Sequence, residues 1–458
     1  MPKKTIFIFI AVFVLTGVIM LIIYFFIGSS KTTPSTTNNA TTNYQTFNPF
    51  GSGTQTAPAN NQNTQSTETT ANQPQQQTTP IVSKFHQITN FSVAGATYFE
   101  DTRPIQVTPA TAPTTTVPTT PTTNQTQPVA SAPNPTSTQT KTTKIAVPKS
   151  VQPKFETVPS IRYVERVTGH IYEMYLDTKA VNQISNSTIP SIYEAIFDGK
   201  AQTVIYRYLG TDNQTISSFM ATMGETKGEF LPDNITDISL SPDKSKFFYL
   251  TENQNGITGT TRAFAETKKY QVFSSPFTEW LSQWVGSQKV FLTTKASWSV
   301  NGDLFSLNTA NGSLTKVFGG IAGLTTLANK DGTVVLYSAS LSDGPKLELF
   351  NISKHISSDL NMYGLPEKCV WSNDNINIYC GVPKNVAGNE YPDSWYQGLI
   401  SFDDYFVKIN TATFQVETVS DGTNAEPIDA THLFLDKGEN NLFFINKIDS
   451  TLWSLDLK

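Results

Sequence analysis

The chain has 458 residues, a net charge of −5 and 15% charged side chains. Nucleic-acid binding needs clustered Lys and Arg to neutralise phosphates, and no such cluster occurs, so that class is set aside. Thr, Pro, Gln, Asn and Ser dominate residues 30–82 and 104–155. Tracts so poor in apolar groups cannot offset the entropy of ordering, which leaves roughly 300 residues from 156 onward, plus one island between the tracts, to build a core.

The first predicted element is the uncharged run TIFIFIAVFVLTGVIMLIIYFFI, residues 5–27. At about 1.5 Å per residue it is long enough to cross ~30 Å of hydrocarbon. A cleaved signal peptide would have a shorter apolar region and a small-residue cleavage site, and neither is present. No Cys follows for lipid attachment. Lys3 and Lys4 precede the run, and only Lys31 and Glu68 carry charge between it and the island. The positive-inside bias therefore places the N-terminus in the cytoplasm and the remainder outside. The expected organisation is a cytoplasmic N-terminus with a transmembrane helix (1–28), a disordered linker (29–82) and a folded domain (83–458). As a flexible coil the linker would average roughly 40 Å end to end.

From residue 193 a hairpin recurs: an apolar strand, a turn of Asp, Asn, Gly or Lys, then an aromatic or β-branched strand. The copies are YEAIFDGKAQTVIYRYL (193–209), ISLSPDKSKFFYL (238–250), SQWVGSQKVFLTT (282–294), TLANKDGTVVLYS (326–338), CVWSNDNINIYCG (369–381) and LFLDKGENNLFFIN (433–446). Their turns centre near 199, 243, 287, 331, 374 and 438, in steps of about 44, 44, 44, 43 and 64. Hairpins at this period are the signature of a β-propeller with four strands per blade. A second hairpin follows the first, as in HIYEMYLDTKAVNQISNS (170–187), DLFSLNTANGSLTKVFGG (303–320) and DYFVKINTATFQVETVSDG (404–422). The last copy, STLWSLDLK (450–458), ends at a third strand.

The island FHQITNFSVAGATYFED (85–101) aligns with VNQISNSTIPSIYEAIFDG (181–199), a fourth strand followed by a first strand. Residues 84–90 are thus expected to complete the last blade and 93–100 to begin blade one. Residues 104–158 become a Thr/Pro-rich disordered loop between its first two strands, the second being SIRYVERV (160–167). The expected fold is all-β: a seven-bladed β-propeller closed by N- and C-terminal strands, preceded by one transmembrane helix and a disordered linker. Closure removes an exposed pair of sheet edges.

The two cysteines, Cys369 and Cys380, face each other if Asp374–Asn375 forms a hairpin tip. A disulfide and a pair of buried thiols both fit, and an oxidising compartment favours the disulfide. The 20-residue excess of the long step falls in VPKNVAGNEYPDSWYQGLISF (382–402), a loop between second and third strands. Its Tyr391, Trp395 and Tyr396 are the candidate binding residues, on the face opposite the tether; the alternative is that the insertion folds back over its own blade.

The turn SPDKSKFFY (241–249) resembles the hairpin of TolB-like propeller repeats, written Ser-Pro-Asp-Gly before an apolar strand, with Lys244 replacing the Gly. WSNDNINIY (371–379) keeps the Trp-Ser but has Asn373 for Pro. The resemblance implies a propeller and transfers no activity, because such repeats serve scaffolds, transport accessories and peptidase-associated domains alike. The Trp-Asp mark of WD repeats is absent.

His86, His170, His355 and His432 form no H-E-x-x-H, and no G-x-S-x-G elbow occurs. Asp198, Asp243, Asp331, Asp374 and Asp436 recur at the first hairpin tips, where turn chemistry explains them better than a ring of functional carboxylates. No catalytic residue, metal or cofactor is expected. The expected function is a membrane-tethered, extracytoplasmic module that binds or scaffolds a protein or glycan of the cell envelope. An envelope hydrolase with its site at the propeller axis and a purely structural component are the alternatives; several acids with raised pKa values converging on the axis would favour the hydrolase.

Overall fold

Apolar residues alternating at a period of two make strands, and the polar turn after each strand makes the pairing antiparallel. The computed structural model describes residues 84–105 and 154–458 except 213, 226, 424 and 425. The predicted transmembrane segment, the linker 29–82 and the greater part of the insertion in blade 1 lie outside the described residues. Among the described residues no helix is long and apolar enough to cross a membrane.

Seven four-stranded sheets form, each from strands in sequence order. Blade 1 spans 93–183, blade 2 192–230, blade 3 235–275, blade 4 280–322, blade 5 325–363 and blade 6 369–420. Blade 7 takes three strands from 430–456 and its fourth, Phe85–Gln87, from the other end of the domain. Phe85 lies opposite Leu455, and the His86 ring is 3.1 Å from the Asp456 carboxylate. The island is therefore the closure of the ring, its two halves belonging to the last blade and the first.

One boundary differs from expectation. The first two strands of blade 1 are Val93–Pro104 and Phe155–Glu165, paired out to Pro104 opposite Phe155. Residues 155–158, expected in the loop, are strand, so the insertion runs 105–154. Charge carries the pairing beyond the apolar pattern: Arg103 donates to Glu156 at 2.8 Å and to Asp177 at 2.5 Å.

The core lies between blades rather than within them. Each of the seven blade junctions has its own buried apolar cluster. Polar bonds cross the same junctions. Arg162 donates to the Ala201 carbonyl at 2.7 Å and Arg207 to that of Ile235 at 2.6 Å. Asp237 accepts from the Ser282 backbone and hydroxyl at 2.6 and 2.5 Å, and Gln283 exchanges two bonds with the backbone of Ala328 at 2.8 and 2.7 Å.

Alternating strand direction gives the ring two faces. Turns between strands one and two, and three and four, lie on one, the tip face. Residue 84 enters there, 105 and 154 leave there, and the described chain ends there. Connections between strands two and three lie on the other, the far face, together with the links from blade to blade.

Candidate functional site

The tips use their polar residues on their own backbone. Asp198 accepts from the amides of Gln202 and Thr203 at 2.7 and 2.9 Å, and Asp436 from those of Asn440 and Asn441 at 2.7 and 3.1 Å. Asn329 does the same for Thr333 and Val334 at 2.8 and 3.2 Å. In blades 3 and 6 a Ser hydroxyl takes over: Ser241 accepts from the Lys246 amide and Ser372 from the Asn377 amide, both at 2.9 Å. Asp243 and Asp374, two residues on, hold those hydroxyls and the amides of Ser245 and Ile376. These bonds hold Asp243 down to about 2. Asp331 departs from the pattern, since it accepts from Asn375 of the next blade at 3.2 Å.

The described residues form a seven-bladed β-propeller. No protein-family model matches the chain, and no curated protein is similar to it. Among solved structures the chain is similar to TolB from Acinetobacter baumannii, at 10% identity over 64% of this chain and 60% of that one, with a TM-score of 0.38. It is similar to an oligogalacturonate lyase in complex with manganese, at 9% identity over 65% and 86% of the two chains, with a TM-score of 0.47. An oligogalacturonate lyase from Vibrio parahaemolyticus matches at 10% identity over 65% and 93%, with a TM-score of 0.43. The seven blades stand on the chain's own strand pairing.

At the propeller axis, tips from five blades enclose a cavity of about 360 Å³ on the tip face. It is lined by Tyr98, Phe99 and Glu100 of blade 1, Gly199, Lys244, Asn373, and Phe434, Leu435 and Lys437 of blade 7. Glu100, the one carboxylate in this lining, is paired with Lys437 at 3.0 Å. Lys244 donates to the Thr97 hydroxyl at 3.0 Å, and burial, with Lys330 adding to it, pulls its ammonium down.

The denser chemistry is on the far face, where the insertion between Pro383 and Asp404 forms a cap containing the one-turn helix Asp393–Tyr396. Tyr391, Trp395 and Phe402 pack with Leu365 into an eighth apolar cluster, separate from the seven at the junctions. Tyr391 and Trp395 are 2% and 4% exposed. Two of the three candidate binding rings are thus packing rings, because the cap needs a core of its own. Tyr396 is 37% exposed; its hydroxyl donates to Glu367, and burial followed by the Glu367 charge raises it well above the usual phenol range. The insertion folds back over blade 6 and binds its neighbours: Asp393 accepts from the Trp298 amide at 2.6 Å, and the Asn389 carbonyl from the Ser340 hydroxyl at 3.2 Å.

Beneath the cap sits a group of charges the sequence did not flag. Lys368, at the link into blade 6, is wholly buried. Its ammonium contacts Asp404 at 2.8 Å, Asp429 at closer range, and the Ala430 carbonyl at 3.2 Å. Asp429 also accepts from Trp395 Nε1 and from the Phe402 amide at 2.9 and 3.1 Å through Oδ2. Asp404 Oδ2 accepts from the Ala430 amide at 2.8 Å, whereas Oδ1 is buried without a partner. Burial pushes Asp404 up to about 6, against the opposing pull of Lys368. The three residues are 36 and 25 positions apart in the chain and share no local motif. The only trace was charge in apolar company, Lys368 in LPEKCVW and Asp429 in PIDATHLF.

Next to Lys368, Cys369 and Cys380 are directly opposed across the hairpin and form a disulfide with a Cα–Cα distance of 4.1 Å. Of the histidines, His170 bonds Thr188 and Gln183 at 3.3 and 3.2 Å. Among the described residues no cluster of His, Cys, Asp or Glu is arranged to hold a metal.

Proposed function

We propose that this chain is a membrane-tethered, extracytoplasmic propeller that acts as a binding scaffold of the cell envelope and docks a partner protein on its far face. One observation carries the reading. In six of the seven blades the connection between strands two and three, or the strand end beside it, exposes an apolar side chain: Val167, Leu209, Trp298 with Val300, Leu341, Tyr396 with Leu399, and Ile448. Singly such residues are ordinary, and others such as Leu314, Ile356 and Ile376 sit at tip-face turns. The far face, however, carries them in six blades and holds the most exposed of all, Leu399, which supports an interaction surface there. Leu399 is 72% exposed and Val167 66%.

The tether comes from the sequence of residues 5–27 and the polar tract after it. The described chain enters the propeller at residue 84, on the tip face. The hydrolase reading needs two acids converging on the axis. The axial cavity instead offers Glu100, already paired with Lys437.

The test is crosslinking and affinity capture of the full-length protein from its native envelope, compared with the double variant Val300→Glu, Leu399→Glu. Both positions are exposed, so the fold should persist. A partner retained by the wild type and lost by the variant supports the proposal. An identical set of captured proteins would sink it. Protease treatment of intact cells tests orientation: cleavage within residues 29–82 is expected, and complete protection would refute an outward-facing propeller.

A further inference from the structure

The charges beneath the cap are arranged for more than an ion pair. Lys368 is the only lysine wholly buried among the described residues, and two aspartates meet its ammonium in a site closed by Trp395 and Phe402. Three desolvated charges held together this way are expensive, and one carboxylate oxygen, Asp404 Oδ1, is buried and bonded to nothing. The two oxygens of Asp429 differ in role. Oδ1 faces the amine and shares the Trp395 Nε1–H at 3.1 Å, while Oδ2 takes that N–H at 2.9 Å together with the Phe402 amide at 3.1 Å. That is the arrangement of a nucleophile, an acyl group and an oxyanion hole.

We propose that Lys368 and Asp429 condense to an isopeptide bond joining blades 6 and 7, with Asp404 as the proton carrier. In the dry site a proton passes from the Lys368 ammonium to Asp429 Oδ1, leaving a neutral amine beside a neutral acid. The Lys368 Nζ lone pair then attacks Asp429 Cγ, forming the C–N bond, and the charge that develops on Oδ2 is held by Trp395 Nε1–H and the Phe402 N–H. Asp404 Oδ2, 2.8 Å from Nζ, removes a proton from the new ammonium and returns one to the Oδ1 hydroxyl. The Cγ–Oδ1 bond breaks and water leaves. One ammonium and one carboxylate become one amide and one water, and Asp404 ends as it began. No oxidant or other reactant is needed. Proximity supplies the rate, because reacting groups held in contact behave as if at effective concentrations of about 10⁵ M or more.

The product satisfies its surroundings. The amide oxygen keeps both donors of Oδ2, and the amide N–H has Asp404 Oδ2 and the Ala430 carbonyl, now 2.8 and 3.2 Å from Nζ, as acceptors. The raised pKa of Asp404 suits a group that must take up and release a proton. Blade 7 is the one closed by the short strand Phe85–Gln87, so the bond would fasten the ring beside its closure.

The test is mass spectrometry on the full-length protein after reduction, alkylation and protease digestion. The expected result is a branched peptide pair joining Lys368 to Asp429, lighter than its two components by one water, with no tryptic cleavage after Lys368. Asp404→Ala should give the two peptides unlinked at full mass. Asp429→Asn should still link, losing ammonia in place of water. Circular dichroism establishes that each variant is folded. Folded wild-type protein that yields both peptides unlinked at full mass overturns the proposal, and so does a water deficit confined to a single unbranched peptide. A link from Lys368 to Asp404 would overturn the assignment of roles.

Discussion

Asp436 shows how one side chain sets a tip. Its Oδ1 accepts from the amides of Asn440 and Asn441, closing the turn before the next strand begins. Asp436→Ala leaves both donors without their partner and should cost about 1–2 kcal/mol, read as a lower thermal midpoint with unchanged circular dichroism. Asp404 acts in the opposite sense. Its carboxyl, pushed up to about 6 by burial, binds a proton more tightly in the fold than in the unfolded chain. Its contribution is therefore greatest below about pH 4 and falls away as the pH rises through 6, by up to about 3 kcal/mol. The thermal midpoint of Asp404→Asn should gain on the wild type between pH 4 and 7. A difference that stays flat across that window would refute the assignment.

Among elements, the innermost strand of blade 1 has the tightest requirement. VAGAT read as small enough to sit near a crowded axis, and Gly95 explains the crowding: a Cβ there would lie 1.9 Å from the Ala195 carbonyl oxygen of blade 2. Gly95→Ala must push two first strands apart and should cost at least ~2 kcal/mol. Ala96 lies outside that contact and makes the control. The cap is a second such element. Its aromatic residues suggested binding, yet Tyr391, Trp395 and Phe402 became the core of the cap. A 20-residue insertion has no sheet to lie on and must supply its own apolar interior. Exposure passed instead to Leu399, which no local pattern distinguishes from any other surface leucine.

For the whole molecule, closure dominates. A chain beginning at residue 156 lacks Phe85–Gln87 and Val93–Pro104, leaving blade 7 with three strands and blade 1 without its first. It exposes the clusters at three junctions, which lose Phe85, Val93 and Ala94 with Phe99, and two sheet edges, so aggregation is expected. A chain beginning at residue 82 should stay monomeric in size-exclusion chromatography. A monomeric, cooperatively melting chain from 156 would refute the role of the island.

What the sequence determined by itself was the ring: hairpins near a 44-residue period, the missing fourth strand, and the island that supplies it. Those features are local, because alternation, turn chemistry and spacing follow from neighbouring residues. The Ser-x-Asp tips were legible for the same reason. Only the tertiary structure decided the rest. Lys368 and Asp429 come from two blade-to-blade links and Asp404 from the start of a strand, and it is closure of blade 6 against blade 7 that buries them together. The exposed residues of the far face are likewise scattered through six blades and become a surface only when the ring aligns their loops. Short-range pattern shapes each blade, while chemistry that depends on burial exists only where blades meet.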